Sequence, residues 1–392
     1  MSAELADDWR QGGFALYVHW PFCEAKCPYC DFNSHVAASI DHELWADAYL
    51  AEIDRVGALT PGRVLNSIYF GGGTPSLMAP ATVEAVIRKA ADRWHFANDI
   101  EITLEANPSS VEADRFAAYR SAGVNRVSIG VQALRDEDLA RLGRLHTVDE
   151  ARRAIDLGQR VFERVSFDLI YAREGQRLRD WEAELREAIA LGTEHLSLYQ
   201  LTIEPGTAFA RRKAAGGLQD LPDEDLAADL FLATNEITEA AGLGAYEVSN
   251  HARPGAESRH NLVYWRYGDY AGVGPGAHGR LTLKGCKVAT EGFSNPRTWL
   301  ENVNAGGTGE RPPVQIPWPE AAQEYLMMSL RLAEGTDLAR YARMAGKPIN
   351  ASTINWLASA GLVDSAAGRL LASASGRAVL NELLAELMRE GD

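Results

Sequence analysis

From residue 14 to about 205 the chain alternates short β-rich runs with longer helical patterns, and this alternation limits the fold more than any other feature. The runs read as strands are 14–19, 64–70, 100–106, 126–132, 164–170 and 195–203, with helical patterns at 41–57, 80–94, 110–122, 148–157 and 180–191. A strand–helix pair recurring about every 30 residues is the mark of βαβ units and a parallel sheet. Six strands fall short of a closed eight-stranded barrel and predict an open, partial (β/α)6 one. A flat doubly wound sheet shares the same periodicity. In both architectures ligands bind at the C-terminal ends of the strands. Polar residues that directly follow a strand are therefore the first candidates for a site.

At 392 residues the chain outgrows a single core, so a second domain is expected. Residues 1–13 read as an N-terminal tail and 14–222 as the barrel. A long helix at 225–241 opens a mixed α+β region, 223–303. Gly and Pro mark 304–319 as a linker. Residues 320–392 follow the order helix, helix, helix, hairpin, helix, a small winged-helix-like domain. That stretch holds 7 Lys or Arg against 9 Asp or Glu, so it lacks the basic footprint of a nucleic-acid binder.

Three of the four cysteines, Cys23, Cys27 and Cys30, fall in one eight-residue window after the first strand. The spacing Cys-x-x-x-Cys-x-x-Cys aims three thiolates at one metal centre. Iron–sulfur clusters are usually held by four, so three leave one iron open to another ligand. A zinc site completed by His19 or His35 is the alternative, although structural zinc sites favour paired Cys-x-x-Cys knuckles. Cys286 has no partner nearby, so no disulfide framework is expected, and free thiolates call for a reducing compartment such as the cytoplasm.

Gly71-Gly72-Gly73-Thr74-Pro75 follows the second strand, where glycines let backbone N–H and C=O groups approach a ligand. Glu105 ends the third strand with two acceptor oxygens, enough for vicinal hydroxyls. Gln132 ends the fourth strand, Asp168 lies late in the fifth, and Arg144 sits between them. Amide, guanidinium and carboxylate together suit a zwitterion. Singly, each also reads as a structural or solvated residue. His260, in Arg259-His260-Asn261-Leu262-Val263-Tyr264-Trp265, reads either as a haem axial ligand or as a core histidine among aromatic rings. His278 lies in a Gly-rich turn and is the weaker histidine candidate. No nucleophile elbow and no phosphate-binding Gly-x-x-x-x-Gly-Lys loop occurs, which removes the common hydrolase and nucleotidase readings. The net charge of −15 argues against broad nucleic-acid binding and is compatible with peripheral contact at a membrane. The acidic first residues lack the apolar stretch of a signal peptide, and no run reaches the ~18 apolar residues of a membrane span.

The cysteine loop, Gly-Gly-Gly-Thr-Pro, Leu-Glu-Ala-Asn-Pro, Gly-Val-Gln and His-Asn-x-x-Tyr-Trp, in this order, resemble the HemN/HemW family of radical SAM proteins. That family includes oxygen-independent coproporphyrinogen oxidases and haem chaperones. The resemblance runs from about residue 14 to the C-terminal helices and implies a partial (β/α)6 radical SAM barrel followed by a HemN-type C-terminal domain. It implies that Cys23, Cys27 and Cys30 hold a 4Fe–4S cluster and that Tyr17, Gly72 and Glu105 line the S-adenosylmethionine (SAM) on it. Tyr29, Gly73, Thr74, Gln132, Arg144 and Asp168 match positions around a second SAM in the oxidases. Two departures set the chain apart from the oxidase branch. Phe32 stands where oxidases carry a fourth cysteine, and only 16 residues precede Tyr17. His260-Asn261-Leu262-Val263-Tyr264-Trp265 matches the HemW-type chaperone branch. The resemblance thus implies haem as cargo, with His260 as its ligand, and transfer to an acceptor such as a respiratory membrane protein. The alternative is a porphyrinogen-decarboxylating radical enzyme.

Overall fold

In the computed structural model, which describes residues 3–37 and 39–389, all six expected strands form. They are β1 (Phe14–Trp20), β2 (Val64–Gly72), β3 (His95–Ala106), β4 (Arg126–Gln132), β5 (Arg164–Tyr171) and β6 (His195–Gln200). Each pairs in parallel with the next. Met1, Ser2 and Ala38, with the last residues of the C-terminal domain, 390–392, lie outside the described residues.

The strands are covered on both faces, as parallel strands generally are. In β1, Phe14, Leu16, Val18 and Trp20 are fully buried in the main core with residues of the crossover helices, such as Trp45, Tyr49 and Val86. The helices are cued locally. Asp41 caps His42–Leu59, and Thr147 with Glu150 forms a capping box on Val148–Val161. The opposite row of strand side chains is polar, with Ser67 and Tyr69 on β2, Glu101, Thr103 and Glu105 on β3, and Ser166 and Asp168 on β5. That row faces the inside of the partial barrel.

The sheet does not stop at six strands. β7 (Gly244–Ala245), β8 (Asn250–Ala252), β9 (Asp269–Val273), β10 (His278–Leu283), β11 (Cys286–Glu291) and β12 (Val314–Ile316) join it. The order across the sheet is β12-β11-β10-β9-β1-β2-β3-β4-β5-β6-β8-β7. β9 runs parallel to β1 and makes a seventh parallel strand; the other additions are antiparallel. Residues 223–303 thus extend the barrel sheet at both edges, and part of 304–319 is its outermost strand.

Below the strands, the helix Arg259–Trp265 seals the barrel floor. Ser258 caps it and donates to Glu101 Oε1 (3.2 Å), while Val263 packs with Ala15 and Tyr270. Helices Trp318–Ser329, Leu338–Ala345, Ala351–Ser359 and Leu380–Met388, with the hairpin Val363–Ala366 and Arg369–Ala372, enclose a separate apolar core. The first residues are tied to that module. Asp8 pairs with Arg340 at 2.7 Å, both about 95% buried, and Arg340 also donates to the carbonyls of Arg266 and Tyr267. No described helix is long and apolar enough to cross a membrane.

Candidate iron–sulfur and cofactor site

The cysteine loop leaves the C-terminal end of β1, where the topology rule locates a site. It is pinned on both sides. Phe22–Cys23 pairs with His35–Val36, and Asn33 donates to the carbonyls of Pro275 (2.9 Å) and Ser294 (2.8 Å). All three cysteines are half-buried, free of disulfides, and line one cavity of about 590 Å³. Burial pushes the Cys23 and Cys30 thiols up from their ordinary range.

The glycines after β2 are required by contact. Gly72 has φ +118°, and a Cβ there would meet Trp20 O at 2.7 Å; one on Gly73 would meet Phe22 O at 2.6 Å and Cys23 Sγ at 3.0 Å. The segment therefore lies flat against the cysteine loop, and Thr74 Oγ1 donates to Cys23 Sγ (3.4 Å).

Tyr29, Gly72, Gly73, Thr74, Glu105, Gln132, Arg144 and Asp168 line the same cavity as the three cysteines. Glu105 accepts from Tyr69 Oη (2.7 Å) and from the Gly72 N–H (3.2 Å). Burial, with Asp168 adding repulsion, pushes its carboxyl up to about 7 against those two bonds. Burial likewise raises Asp168 to about 6, opposed by hydrogen bonds from Ser197 and Ser128. Gln132 closes β4 with φ 72°, at an irregularity in the β4–β5 register. Arg144 donates to Cys27 Sγ (3.4 Å), Asn107 Oδ1 (2.7 Å) and Gly130 O (2.9 Å).

Two expected residues stand apart. Tyr17 and His260 are absent from the cavity lining and lie behind Tyr69. The His260 ring stacks on Tyr69 (centroids 4.7 Å apart) and sits 6.0 Å from Tyr17, with Nδ1 3.3 Å from Ser67 Oγ. Burial lowers its pKa to about 4, so the imidazole is neutral. Its surroundings are those of a core histidine within an aromatic cluster. The motif helix holds it there, because the His260 N–H donates to Glu101 Oε1.

Several lining residues carried no sequence signal. Arg126, Ser128, His195, Ser197, Tyr199 and Asn250 converge from β4, β6 and β8. Alternation along β4 and β6 marks the inward positions, but only the fold shows that these positions surround a cavity. Asn107 was visible only as part of Leu-Glu-Ala-Asn-Pro.

The residues fit a cluster with a polar ligand beside it. Thr103 Oγ1, Arg144 Nε, His195 Nδ1 and Asn250 Oδ1 are buried without a partner, and all belong to the cavity lining. Such groups call for a polar occupant. A zinc site gains no support from His19. Its Nε2 donates to Asn33 O (2.9 Å), which leaves Nδ1 to accept from Tyr17 Oη (3.0 Å). Both ring nitrogens are engaged. Among the described residues, no three His, Cys, Asp or Glu side chains are grouped for a single ion.

Three cysteines at the C-terminal end of β1 line a polar cavity, and residues 17–188 match the model of the Radical SAM superfamily, which makes the class of protein a radical SAM one. The chain is 40% identical to the Escherichia coli (strain K12) protein called Heme chaperone HemW, across 85% of this chain and 86% of that one. Its Haemophilus influenzae counterpart of the same name is 36% identical across 96% and 98%. The bovine mitochondrial Radical S-adenosyl methionine domain-containing protein 1 is 41% identical across 82% and 74%. The chain belongs to the HemW family. Among solved structures, Escherichia coli coproporphyrinogen III oxidase (HemN) aligns over 99% of this chain and 93% of its own, with TM-score 0.79 at 21% identity, a likeness of fold.

Proposed function

We propose that this protein is a haem chaperone, binding haem and passing it to an acceptor protein in a reducing, cytoplasmic compartment. The observation that carries this reading is the identity of 36–40% to relatives named Heme chaperone HemW over nearly the whole chain. Phe32 supports it, since it replaces the fourth cysteine expected of an oxidase. The acceptor we favour is a respiratory membrane protein.

Cys23, Cys27 and Cys30 would hold the cluster, with the Glu105 carboxylate and the Gly72–Gly73 backbone beside it to bind SAM. When reduced, such a cluster supplies the electron for reductive cleavage of SAM. The chain's own residues orient and shield. Tyr69 fixes the Glu105 carboxylate, and the glycines bring backbone groups to the ligand. Arg144 and Asp168 offer opposite charges to a zwitterion, and the helix at 259–265 closes the floor. Haem we assign to the cavity mouth, where Phe32 and Tyr199 line the cavity yet remain 60% and 43% exposed. His260, expected from its motif to ligate haem, is assigned instead to supporting Tyr69 from beneath.

The second reading, a porphyrinogen-decarboxylating enzyme, is favoured by the intact polar cavity. Anaerobic incubation of cluster-loaded protein with dithionite, SAM and coproporphyrinogen, read by mass spectrometry beside a haem titration, separates the two. Chaperoning predicts a saturable shift of the haem absorption band and no protoporphyrinogen. Protoporphyrinogen formed together with 5′-deoxyadenosine would establish the enzyme.

A further inference from the structure

Two of the three cysteines are joined by an unbroken line of side-chain hydrogen bonds that the proposed function does not use. Thr74 Oγ1 donates to Cys23 Sγ (3.4 Å), and Asn107 Nδ2 donates to Thr74 Oγ1 (3.1 Å). On its other side, Asn107 Oδ1 accepts from Arg144 (2.7 Å), whose second terminal nitrogen donates to Cys27 Sγ (3.4 Å). The direction of every bond is fixed. Arginine has no acceptor, so Oδ1 of Asn107 must face it and Nδ2 must face Thr74. The Thr74 oxygen then receives that N–H, which leaves its own proton for Cys23.

The surroundings hold this brace in place. Ser76 Oγ accepts from the Asn107 N–H (3.3 Å), and Gly130 O accepts from Arg144 (2.9 Å). Gly130 leaves the necessary space. A Cβ there would meet Gln132 Nε2 at 2.9 Å and crowd Arg144 and Asn107, each at 3.5 Å.

We propose that Asn107 is a positioning residue for the iron–sulfur centre, aiming the Thr74 hydroxyl at Cys23 and the Arg144 guanidinium at Cys27. This rests on the reading of the three cysteines as cluster ligands. Hydrogen bonds to ligand sulfurs are among the factors that set cluster potentials. Donation withdraws electron density from a thiolate and favours the reduced cluster, and a guanidinium adds positive charge. Groups outside the ligand set commonly tune metal sites in this way. One amide at the end of β3 would therefore govern donation to two ligands at once.

The test is an EPR-monitored redox titration of the cluster-loaded full chain, with iron content and far-UV circular dichroism measured on the same samples. Asn107→Leu is expected to keep its iron and fold while the reduced-to-oxidised ratio at a fixed potential falls at least tenfold, a shift of about 59 mV for one electron. Thr74→Val and Arg144→Met each remove one donor and should move the ratio in the same direction by less. An unchanged potential in iron-replete Asn107→Leu would overturn the proposal. Should that variant fail to take up iron, Thr74→Val decides, and a wild-type potential there overturns it. Wild-type protein unable to hold a cluster at all would instead overturn the ligand assignment beneath it.

Discussion

At the scale of single residues, the cavity pairs strong demands on protonation with exposure to ligand. Glu105 keeps its proton up to about pH 7 in the folded chain, against an ordinary value of 4.5. Between those values the folded state binds more protons than the unfolded one. Stability therefore falls as pH rises through this window, and the loss is complete above it. Glu105→Gln removes this titration. Its stability relative to wild type should improve steadily from about pH 4.5 to about 7 in denaturant melts of ligand-free protein, and a pH-independent difference would refute the assignment. The same variant should lose ~1–3 kcal/mol of SAM affinity by calorimetry above about pH 7, where the acceptor it replaces is ionised. Cys27→Ser is a separate matter: it should abolish the broad visible absorption of the cluster, because one of three thiolate ligands is gone. An unchanged spectrum would remove Cys27 from the ligand set.

Among elements, the helix at 259–265 carries the sharpest consequence, because its attachment runs through a buried charge. Glu101 accepts from Ser258 Oγ and the His260 N–H while pairing with Arg126 at 2.8 Å, both charged side chains at most 3% exposed. Glu101→Gln should cost about 3–5 kcal/mol, since it leaves the Arg126 charge buried without its partner. Thermal melts in which this variant matches wild type would show that the floor is held by its other contacts, such as Asn261 with Tyr246 (3.1 Å). The same helix marks what the sequence made legible. The six strands β1–β6 were readable because strand and helix periods are local, and the capping residues of the crossover helices stand beside them. β9 was not, because its place against β1 rests on pairings between residues about 250 positions apart, such as Phe14 with Asp269. Nor was the floor: for His260 the sequence left a ligand and a core histidine both open, and the long-range approach of Ser67, Tyr69 and Glu101 places it in an aromatic cluster. The cysteines, glycines and strand-end acids were legible as a site because each follows a strand. His195, Ser197 and Asn250, which line its depth, gave no such cue.

For the whole molecule, the question is what makes the barrel and the C-terminal module one object. Each has its own apolar core, and polar links run between them, among them Arg266 with Glu334 and Arg280 with Glu324. The most deeply buried ion pair of them joins opposite ends of the chain. Arg340 makes three bonds to the Asp8 carboxylate and two more to the carbonyls at 266 and 267, just past the floor helix. The Arg63 guanidinium lies 4.3 Å from the Trp9 ring centroid and fastens the neighbouring residue to the barrel. Since Asp8 touches one body and Trp9 the other, this contact acts as a clasp. Arg340→Ala would leave Asp8 buried without its counter-charge and strand the two carbonyls, a loss of about 3–5 kcal/mol. The cost falls on the junction, not on either core. Calorimetry is accordingly expected to give one unfolding transition for wild type and two for the variant, with the C-terminal module melting first. A single transition merely shifted to lower temperature would mean that the apolar contacts between the two bodies, including Tyr267 in the C-terminal core, suffice to couple them.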